Sequence, residues 1–377
     1  MSLEGDIRVK LGWNGARVED VRIESTRPTA IAQLLKDRSP EDALAFVPRV
    51  FSLCAAAQSA AARRAMVCAG ASIDMDADAA EVVLEVVHEY FWRLLIDWPQ
   101  TMRHPIDAGT VAEVRRHRAG SRRRNGEAPE ADERMRCDAG VALTAIATRR
   151  VFGVAPVDWL AMRDLGALDA WTARGATLPA RLLGVLLREL PKLGRSAVSL
   201  MPATTREALV RSVVHAMDEE AEFERAPTWN GEPAETGALS RMRAHPLVAS
   251  LIARDGNTVA ARTVARLCEL ATLLEECSTN GHAFRWIDGF ATGAAEGFAV
   301  VHTARGLLVH RVRLDDGRIA DYRIVAPTEW NFHPDGALAR GLRYLAADEA
   351  GELERRARLA VQGLDPCVAC AIEVGHA

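Results

Sequence analysis

The sequence predicts an α+β fold in which a mainly helical core is flanked by an N-terminal and a C-terminal β-hairpin. Two stretches, residues 7–23 and 308–325, alternate apolar and polar residues around short turn signals, as the strands of a hairpin do. Most of the chain between them carries apolar residues at helical spacing. We expect one domain over residues 1–377, divided into a hairpin (1–28), the helical core (29–290) and a C-terminal hairpin with the last segment (291–377).

Composition argues against several functional classes. Of the 377 residues, 49% are hydrophobic and 26% are charged, which is typical of a globular protein with a large core. The formal net charge of -4 gives no overall attraction to nucleic acid or to an anionic membrane. The sequence has no secretory signal and no run of about 18 apolar residues, so we expect a cytoplasmic protein. Seven cysteines at irregular spacing do not form the framework of a disulfide-rich secreted protein.

The N-terminal hairpin is indicated by apolar residues placed two apart on either side of a turn. Asn14-Gly15 favours positive φ angles and therefore predicts a type I′ turn. The alternating residues are Ile7, Val9 and Leu11 before the turn, and Val21 and Ile23 after it.

Helix signals follow the hairpin. A short helix is predicted over residues 30–36. Ser39 suits a helix N-cap and Pro40 the first helical position, which predicts a second helix that ends before Pro48. Three apolar stripes predict further helices and are expected to lie in the core. The stripes are Val82, Val83, Val86, Val87, Tyr90 and Leu94; Ala142, Leu143, Ile146 and Phe152; and Leu182, Leu183, Leu186, Leu187 and Leu190.

Cys54 lies near the start of an alanine-rich run that continues to Gly70 and predicts another helix. The positive end of that helix and the nearby Arg49 are both expected to lower the pKa of the thiol. A single cysteine in an alanine-rich helix is also a common small core residue. Sequence pattern alone leaves both interpretations open.

Residues 115–133 are predicted to form an arginine-rich loop. Such a loop can be a patch for RNA or an acidic partner, or simply a solvated connection. No aromatic residue is interleaved for base stacking, which favours the solvated connection. The arginines are Arg115, Arg116, Arg118, Arg122, Arg123 and Arg124.

The C-terminal hairpin is predicted from two alternating runs, 308–314 and 319–325, joined by the turn Asp316-Gly317. A helix over residues 352–362, capped by Gly363, then leads to Asp365.

The motif Asp365-Pro366-Cys367-Val368-Ala369-Cys370 follows that helix. Two thiols spaced i, i+3 can turn toward one point, and thiolates are soft ligands suited to iron, nickel, zinc or Cu(I). A bare CxxC also occurs as half of a zinc ribbon, as a redox dithiol or by chance. The motif therefore indicates metal binding only in combination with other residues.

Three further segments combine with it: Arg49 to Cys54, Thr303-Ala304-Arg305-Gly306, and Pro327-Thr328-Glu329-Trp330-Asn331. In this order, the four segments resemble the signature segments of the [NiFe]-hydrogenase large subunit. Along its whole length the chain most resembles the HupK/HoxV group of hydrogenase expression and formation proteins, which are non-catalytic relatives of that subunit. The resemblance implies a reduced large-subunit fold in which the two cysteine segments meet near the centre.

The resemblance also implies a site. Cys54 and Cys370 match the cysteines that bridge to an iron carrying carbon monoxide and cyanide, and Cys367 matches a cysteine terminal to nickel. Arg305 matches the residue that donates to a cyanide, and His310 is retained with it as a cofactor-binding residue. The implied cargo is an Fe(CN)2CO unit.

The departures from the hydrogenase pattern are informative. Phe51 stands in place of the fourth cysteine, so no nickel is expected. Ala32 stands in place of the proton-transfer glutamate, Gln58 replaces a histidine, and Glu373 replaces the terminal histidine. Glu4 is retained where the large subunit binds magnesium, although an acidic residue before an edge strand is an equal interpretation.

These features together predict a non-catalytic maturation scaffold. It is expected to hold the Fe(CN)2CO unit transiently and pass it to the [NiFe]-hydrogenase large subunit, with a HypC-type chaperone and HypD as further partners and without nucleic acid or membrane. A divergent hydrogenase-like metalloenzyme with an iron-only or zinc site is one alternative. A metal-free interaction module with vestigial cysteines is another, because a shared fold does not fix function.

Overall fold

The structure is a computed structural model that describes residues 5–26, 30–51, 53–74, 79–120, 129–279 and 286–376. Within these ranges the fold is α+β, as predicted: a helical body carries a three-stranded sheet and a four-stranded sheet. No helix in the described ranges has the length and apolar content needed to cross a bilayer.

The strands of the described ranges form three sheets. The orders are β2-β1-β9, β3-β4 and β5-β6-β7-β8. The strands are β1 (Asp6–Trp13), β2 (Val18–Ser25), β3 (Ser199–Leu200), β4 (Ala234–Glu235), β5 (Ile287–Gly293), β6 (Glu296–Thr303), β7 (Gly306–Asp315), β8 (Arg318–Val325) and β9 (Ala369–His376).

The helices fill the sequence between the two larger sheets and part of the C-terminal region. Five of the described helices adjoin π-helical turns, which lie at Arg93–Asp97, Thr148–Phe152 and Val210–Val214. The described helices are α1 (Ala30–Gln33), α2 (Pro40–Val50), α3 (Ala55–Cys68), α4 (Ala79–Trp92), α5 (Trp98–Thr101), α6 (Ala108–Gly120), α7 (Pro129–Ala147), α8 (Pro156–Leu160), α9 (Leu165–Arg174), α10 (Leu178–Glu189), α11 (Arg206–Leu209), α12 (His215–Glu219), α13 (Ala238–Met242), α14 (Pro246–Asp255), α15 (Val259–Thr279), α16 (Pro327–Asn331), α17 (Ala337–Leu342) and α18 (Ala350–Leu364).

The N-terminal hairpin is confirmed, but its predicted turn is wrong. The side-chain oxygen of Asn14 accepts the backbone N–H groups of Ala16 (3.0 Å) and Arg17 (2.9 Å), so the loop is held by an Asx-type turn. Of the two expected residues only Gly15 has a positive φ. β1 also pairs in parallel with β9, with Ile7 opposite Cys370. The C-terminal cysteine segment is therefore part of the N-terminal sheet.

The C-terminal hairpin is confirmed as β7 and β8. Asp316 and Gly317 form its two-residue turn with φ angles of 45° and 72°. β5 and β6 extend the hairpin to an antiparallel meander, and β5 begins at Ile287, just inside the range 29–290 that was predicted to be mainly helical. One face of this sheet packs against α2 and α3, and the other packs against residues 201–234.

The second helix begins as predicted but ends later. Ser39 accepts the N–H of Asp42 at 3.1 Å, and Pro40 occupies the first turn. The helix continues through Pro48 to Val50. Pro48 lies in the last turn, where its missing N–H removes a single helical hydrogen bond.

Two other helix boundaries differ from the prediction. Gly363 lies inside α18, and the left-handed residue that ends this helix is Asp365, at φ 57°. The predicted arginine-rich loop is helical at both ends, because α6 continues to Gly120 and α7 begins at Pro129. Residues 121–128, with the other three arginines, lie outside the described residues.

Candidate functional site

Arg305 lies in the turn between β6 and β7, where hydrogen bonds fix the backbone. The hydroxyl oxygen of Thr303 accepts the N–H groups of Arg305 (3.1 Å) and Gly306 (3.2 Å). Gly306 has φ 137°, and a Cβ at this position would clash with the Thr236 side chain. Asn331 donates a side-chain N–H to the carbonyl oxygen of Arg305 at 3.0 Å. The Thr303–Gly306 and Pro327–Asn331 segments therefore form one structural unit.

The guanidinium of Arg305 is buried between acidic groups. Its Nη2 donates to Glu89 at 2.7 Å, and its Nε lies 3.5 Å from Asp365 Oδ1. Burial works to lower the pKa of Arg305, but Asp365 and Glu89 outweigh it and hold the pKa well above its usual value. Cys367 and Cys54 are also near enough to raise this pKa. Arg305 is thus the group that connects the two cysteine segments electrostatically.

Asp365 and Glu89 belong to a larger buried ion-pair network. Arg93 pairs with Asp365 and also with Asp97. Burial raises the pKa of Glu89, but Arg305 and His88 outweigh it and lower that pKa to about 2. Asp365 therefore ends α18 between two guanidinium groups, which explains how a residue other than glycine is held in the left-handed conformation there.

Cys367 is buried beside Thr328, which sequence analysis did not assign to the site. The Thr328 hydroxyl oxygen accepts the N–H of Cys367 at 3.2 Å and lies 3.1 Å from its sulfur. Thr328 therefore contacts both the backbone and the sulfur of Cys367, and it holds this residue in place.

Cys54 is the N-cap residue of α3, which agrees with its predicted position near a helix N-terminus. The carboxylate of Glu85 accepts the N–H groups of Ala56 (2.9 Å) and Ala57 (3.2 Å) and pairs with Arg118 at 3.0 Å. Burial raises the pKa of Glu85, an effect opposed by Arg118 and the two N–H groups. Glu85 thus holds the start of the helix that follows Cys54.

Glu85 and Glu89 lie one turn apart on α4, and both were missed from sequence. Glu85 contacts the start of α3, and Glu89 contacts Arg305. The sequence does contain a signal for them. Both carboxylates lie within a valine stripe that is expected to be buried, and a buried charge usually has a partner.

Cys370 lies on β9 and is partly buried. Burial raises the pKa of its thiol to about 11, opposed by Arg358. In the described part of the chain, no three His, Cys, Asp or Glu side chains gather closely enough to hold a metal ion. None of the seven cysteines, all of them described, forms a disulfide. A shared site of Cys54 and Cys370 stays a prediction.

His310 is fully buried on β7, and both of its ring nitrogens have protein partners. Nε2 lies 2.8 Å from Gln58 Oε1 and Nδ1 lies 2.7 Å from the Tyr322 hydroxyl. Because Oε1 is an acceptor, Nε2 carries the proton and Tyr322 donates to Nδ1. Gln58 in turn donates its backbone N–H to the Cys54 carbonyl oxygen at 2.9 Å. His310 therefore supports Cys54 through α3, and its predicted contact with a cofactor stays a prediction.

The burial of His310 gives a testable dependence on pH. Burial lowers its pKa from an ordinary value near 6.5 to about 3. Below pH 6.5 the unfolded chain takes up a proton that the folded protein excludes, so stability is lost as the pH falls toward 3. We expect His310→Gln to reduce this loss by about 1.4 kcal/mol per pH unit. Urea unfolding of wild type and variant across this range measures it, and equal slopes would contradict it.

The structure describes most of the positions at which the sequence departs from the hydrogenase pattern. Phe51 and Ala32 are buried and line the same surface groove. The Glu373 side chain is exposed on β9. Glu4 lies outside the described residues.

Comparisons with known proteins show the family and the fold of this chain. The model of the family described as nickel-dependent hydrogenase matches residues 243–373. The chain is 31% identical to the hydrogenase expression/formation protein HoxV of Cupriavidus necator, over 93% of this chain and 92% of HoxV. It is 30% identical to HupK of Azotobacter vinelandii, over 98% of each. The fold is similar to a [NiFeSe] hydrogenase structure from Desulfovibrio vulgaris Hildenborough, with a TM-score of 0.61, 18% identity and 93% coverage of both chains.

Proposed function

The chain belongs to the HoxV/HupK family of hydrogenase expression/formation proteins, and from that premise we propose that it acts in hydrogenase maturation as a scaffold for iron. It receives the Fe(CN)2CO unit as cargo, holds it transiently and passes it to the [NiFe]-hydrogenase large subunit. It does not itself turn over hydrogen.

The observation that carries this proposal is the unsatisfied donor of Arg305. Its Nε–H is buried and has no hydrogen-bond acceptor among the described residues, although Asp365 lies at ion-pair distance. A buried donor without an acceptor is costly, and a bound ligand is one way to supply the missing partner. A cyanide nitrogen on iron is an anionic acceptor that fits a cationic N–H donor near Cys367 and Cys54.

In this proposal the thiolates of Cys54 and Cys370 hold the iron, and Cys367 is an auxiliary ligand. Thiolates are soft donors suited to iron. Arg305 and the N-terminus of α3 supply positive charge for a unit that carries thiolates and cyanides. Phe51 has no metal-binding atom in place of the fourth cysteine, which leaves nickel with an incomplete set of ligands. Two or three sulfur ligands also exchange more readily than four, as transfer requires.

The proposed partners follow from the cargo. A HypC-type chaperone with HypD delivers the iron unit, and the large subunit that still lacks its metals accepts it. Each transfer exchanges one set of thiolates for another. During transfer, Glu89 and Asp365 keep Arg305 in position. Thr328 keeps Cys367 in position.

Infrared spectroscopy tests the proposal, because carbon monoxide and cyanide on iron absorb where protein is nearly silent. Protein purified without oxygen from cells with the maturation machinery is expected to show bands from one carbonyl and two cyanides. Cys54→Ala and Cys370→Ala should abolish the bands and stop hydrogenase maturation. Arg305→Lys should shift the cyanide bands without removing them, because it keeps the charge but loses the Nε–H donor.

Cys68→Ala is the matched control, since this cysteine lies at the far end of α3. It should leave the spectrum unchanged. A wild-type spectrum without the bands, together with normal hydrogenase assembly in both cysteine variants, would favour the metal-free interaction module. One tightly held nickel per chain by elemental analysis would favour the divergent enzyme.

A further inference from the structure

A groove of about 830 Å³ opens between β8, residues 217–226 and the segment that follows α16. Its floor is apolar and includes Ile23, Phe51, Ala326 and Phe332. Phe51 and Phe332 are buried, so the floor is fixed by the core beneath it. The volume lies within the range of about 300–1,000 Å³ that is typical of ligand pockets. We refer to it as the acidic groove because of the charges around it.

The rim of the acidic groove carries six carboxylates and two guanidinium groups. Arg323 already pairs with Glu224, and Arg225 makes only a long, exposed contact of 3.8 Å with Glu222. Neither Glu220 nor Asp321 takes part in an ion pair with another described residue. The six carboxylates belong to Asp218, Glu220, Glu222, Glu224, Asp321 and Glu329, and the two guanidinium groups to Arg225 and Arg323.

The acidic part of the rim is fixed by side chains beneath it. Phe223 is buried between Glu222 and Glu224 in sequence and packs edge-on against Trp330, with 6.1 Å between the ring centroids. Arg311 holds Asp218 at 2.6 Å from the neighbouring strand. These contacts hold the backbone around Phe223 and the Asp218 carboxylate in place at the groove.

We propose that the acidic groove binds an extended, positively charged segment of a partner protein. Successive side chains of an extended peptide point to opposite sides, so apolar residues can face the floor while arginine or lysine residues face the rim. Opposite charge favours this partner and disfavours acidic ones. The groove floor includes Phe51, three residues before Cys54, so a bound segment lies close to the start of α3. The binding itself does not require iron.

A synthetic peptide tests the proposal with the full chain. The probe is a fluorescein-labelled peptide of alternating arginine and leucine, and its neutral counterpart carries citrulline in place of arginine. Fluorescence anisotropy should show that the arginine peptide binds the wild type at least tenfold more tightly than the citrulline peptide. Its affinity should fall at least tenfold in Glu220→Lys/Asp321→Lys. A photoreactive residue in place of one leucine should crosslink to the groove floor.

The matched control is Asp138→Lys/Asp348→Lys, which makes the same change of charge at exposed positions outside the acidic groove. It should bind the arginine peptide as the wild type does. Three results would each overturn the proposal: no binding, equal affinity for both peptides, or equal loss in both double variants. Displacement of the peptide by millimolar Ca²⁺ at constant ionic strength would reassign the groove to a divalent cation.

Discussion

Replacing Asp365 by alanine is expected to lower the free energy of unfolding by about 3 kcal/mol, the lower end of the cost of breaking a buried ion pair. Asp365 is 1% exposed and lies between the guanidinium groups of Arg93 and Arg305. Its removal leaves excess positive charge in the interior. Glu89 and Asp97 remain as partners of the two arginines, which keeps the cost from being larger.

Urea unfolding at neutral pH measures this loss. Asp365→Asn separates the effect of charge from that of the backbone, because asparagine tolerates the left-handed conformation that alanine adopts poorly. The asparagine variant should therefore lie between alanine and wild type. Asp348→Ala, at an exposed position, is the control and should change the free energy of unfolding by less than about 0.5 kcal/mol. A similarly small change for Asp365→Ala would show that the network does not stabilise the fold.

Gly297→Ala is expected to be the most disruptive single substitution in the described core. Gly297 lies on β6 where α3 crosses it, and an added Cβ would lie 2.5 Å from the backbone nitrogen of Ala69 and 2.8 Å from the backbone carbon of Cys68. Backbone atoms cannot rotate away, so α3 must move off the sheet. The cost should exceed about 3 kcal/mol, above the usual range for an overpacked core.

Thermal unfolding and the yield of soluble protein measure this effect. Gly351→Ala is the matched control: it lies on α18, and nothing lies within 4 Å of its added Cβ. Gly351 is the second residue of this helix, so alanine should leave the melting temperature equal to or slightly above that of wild type. Equal melting temperatures for Gly297→Ala and wild type would mean that α3 does not pack this closely on β6.

The sequence was sufficient to identify site residues that belong to recognisable short segments. Arg305 and Cys367 were identified from short segments, and the structure brings them together. Sequence reasoning missed Thr328, Glu85 and Glu89, because their roles come from neighbours that are distant in sequence. A hydroxyl or a carboxylate becomes a positioning group only when the fold places a sulfur or a helix end beside it.

The boundary errors have a similar cause. Glycine is the usual residue after a helix, so Gly363 was the natural choice. The helix instead continues to Leu364, and ion pairs with Arg93 and Arg305 hold Asp365 in the left-handed conformation. The parallel pairing of β1 with β9 was also not predictable, because alternation within a strand does not identify its partner.

That pairing sets the order in which the protein can fold. Ile7 in β1 lies opposite Cys370 in β9, and the whole helical body lies between them in sequence. Contacts of such long range form slowly, so we expect the helical body to form before β9 joins the sheet. In the described part of the chain β9 pairs only with β1, so separating it breaks a single ladder of hydrogen bonds. The strand that carries Cys370 is thus an edge strand whose separation leaves the pairing of β1 with β2 in place.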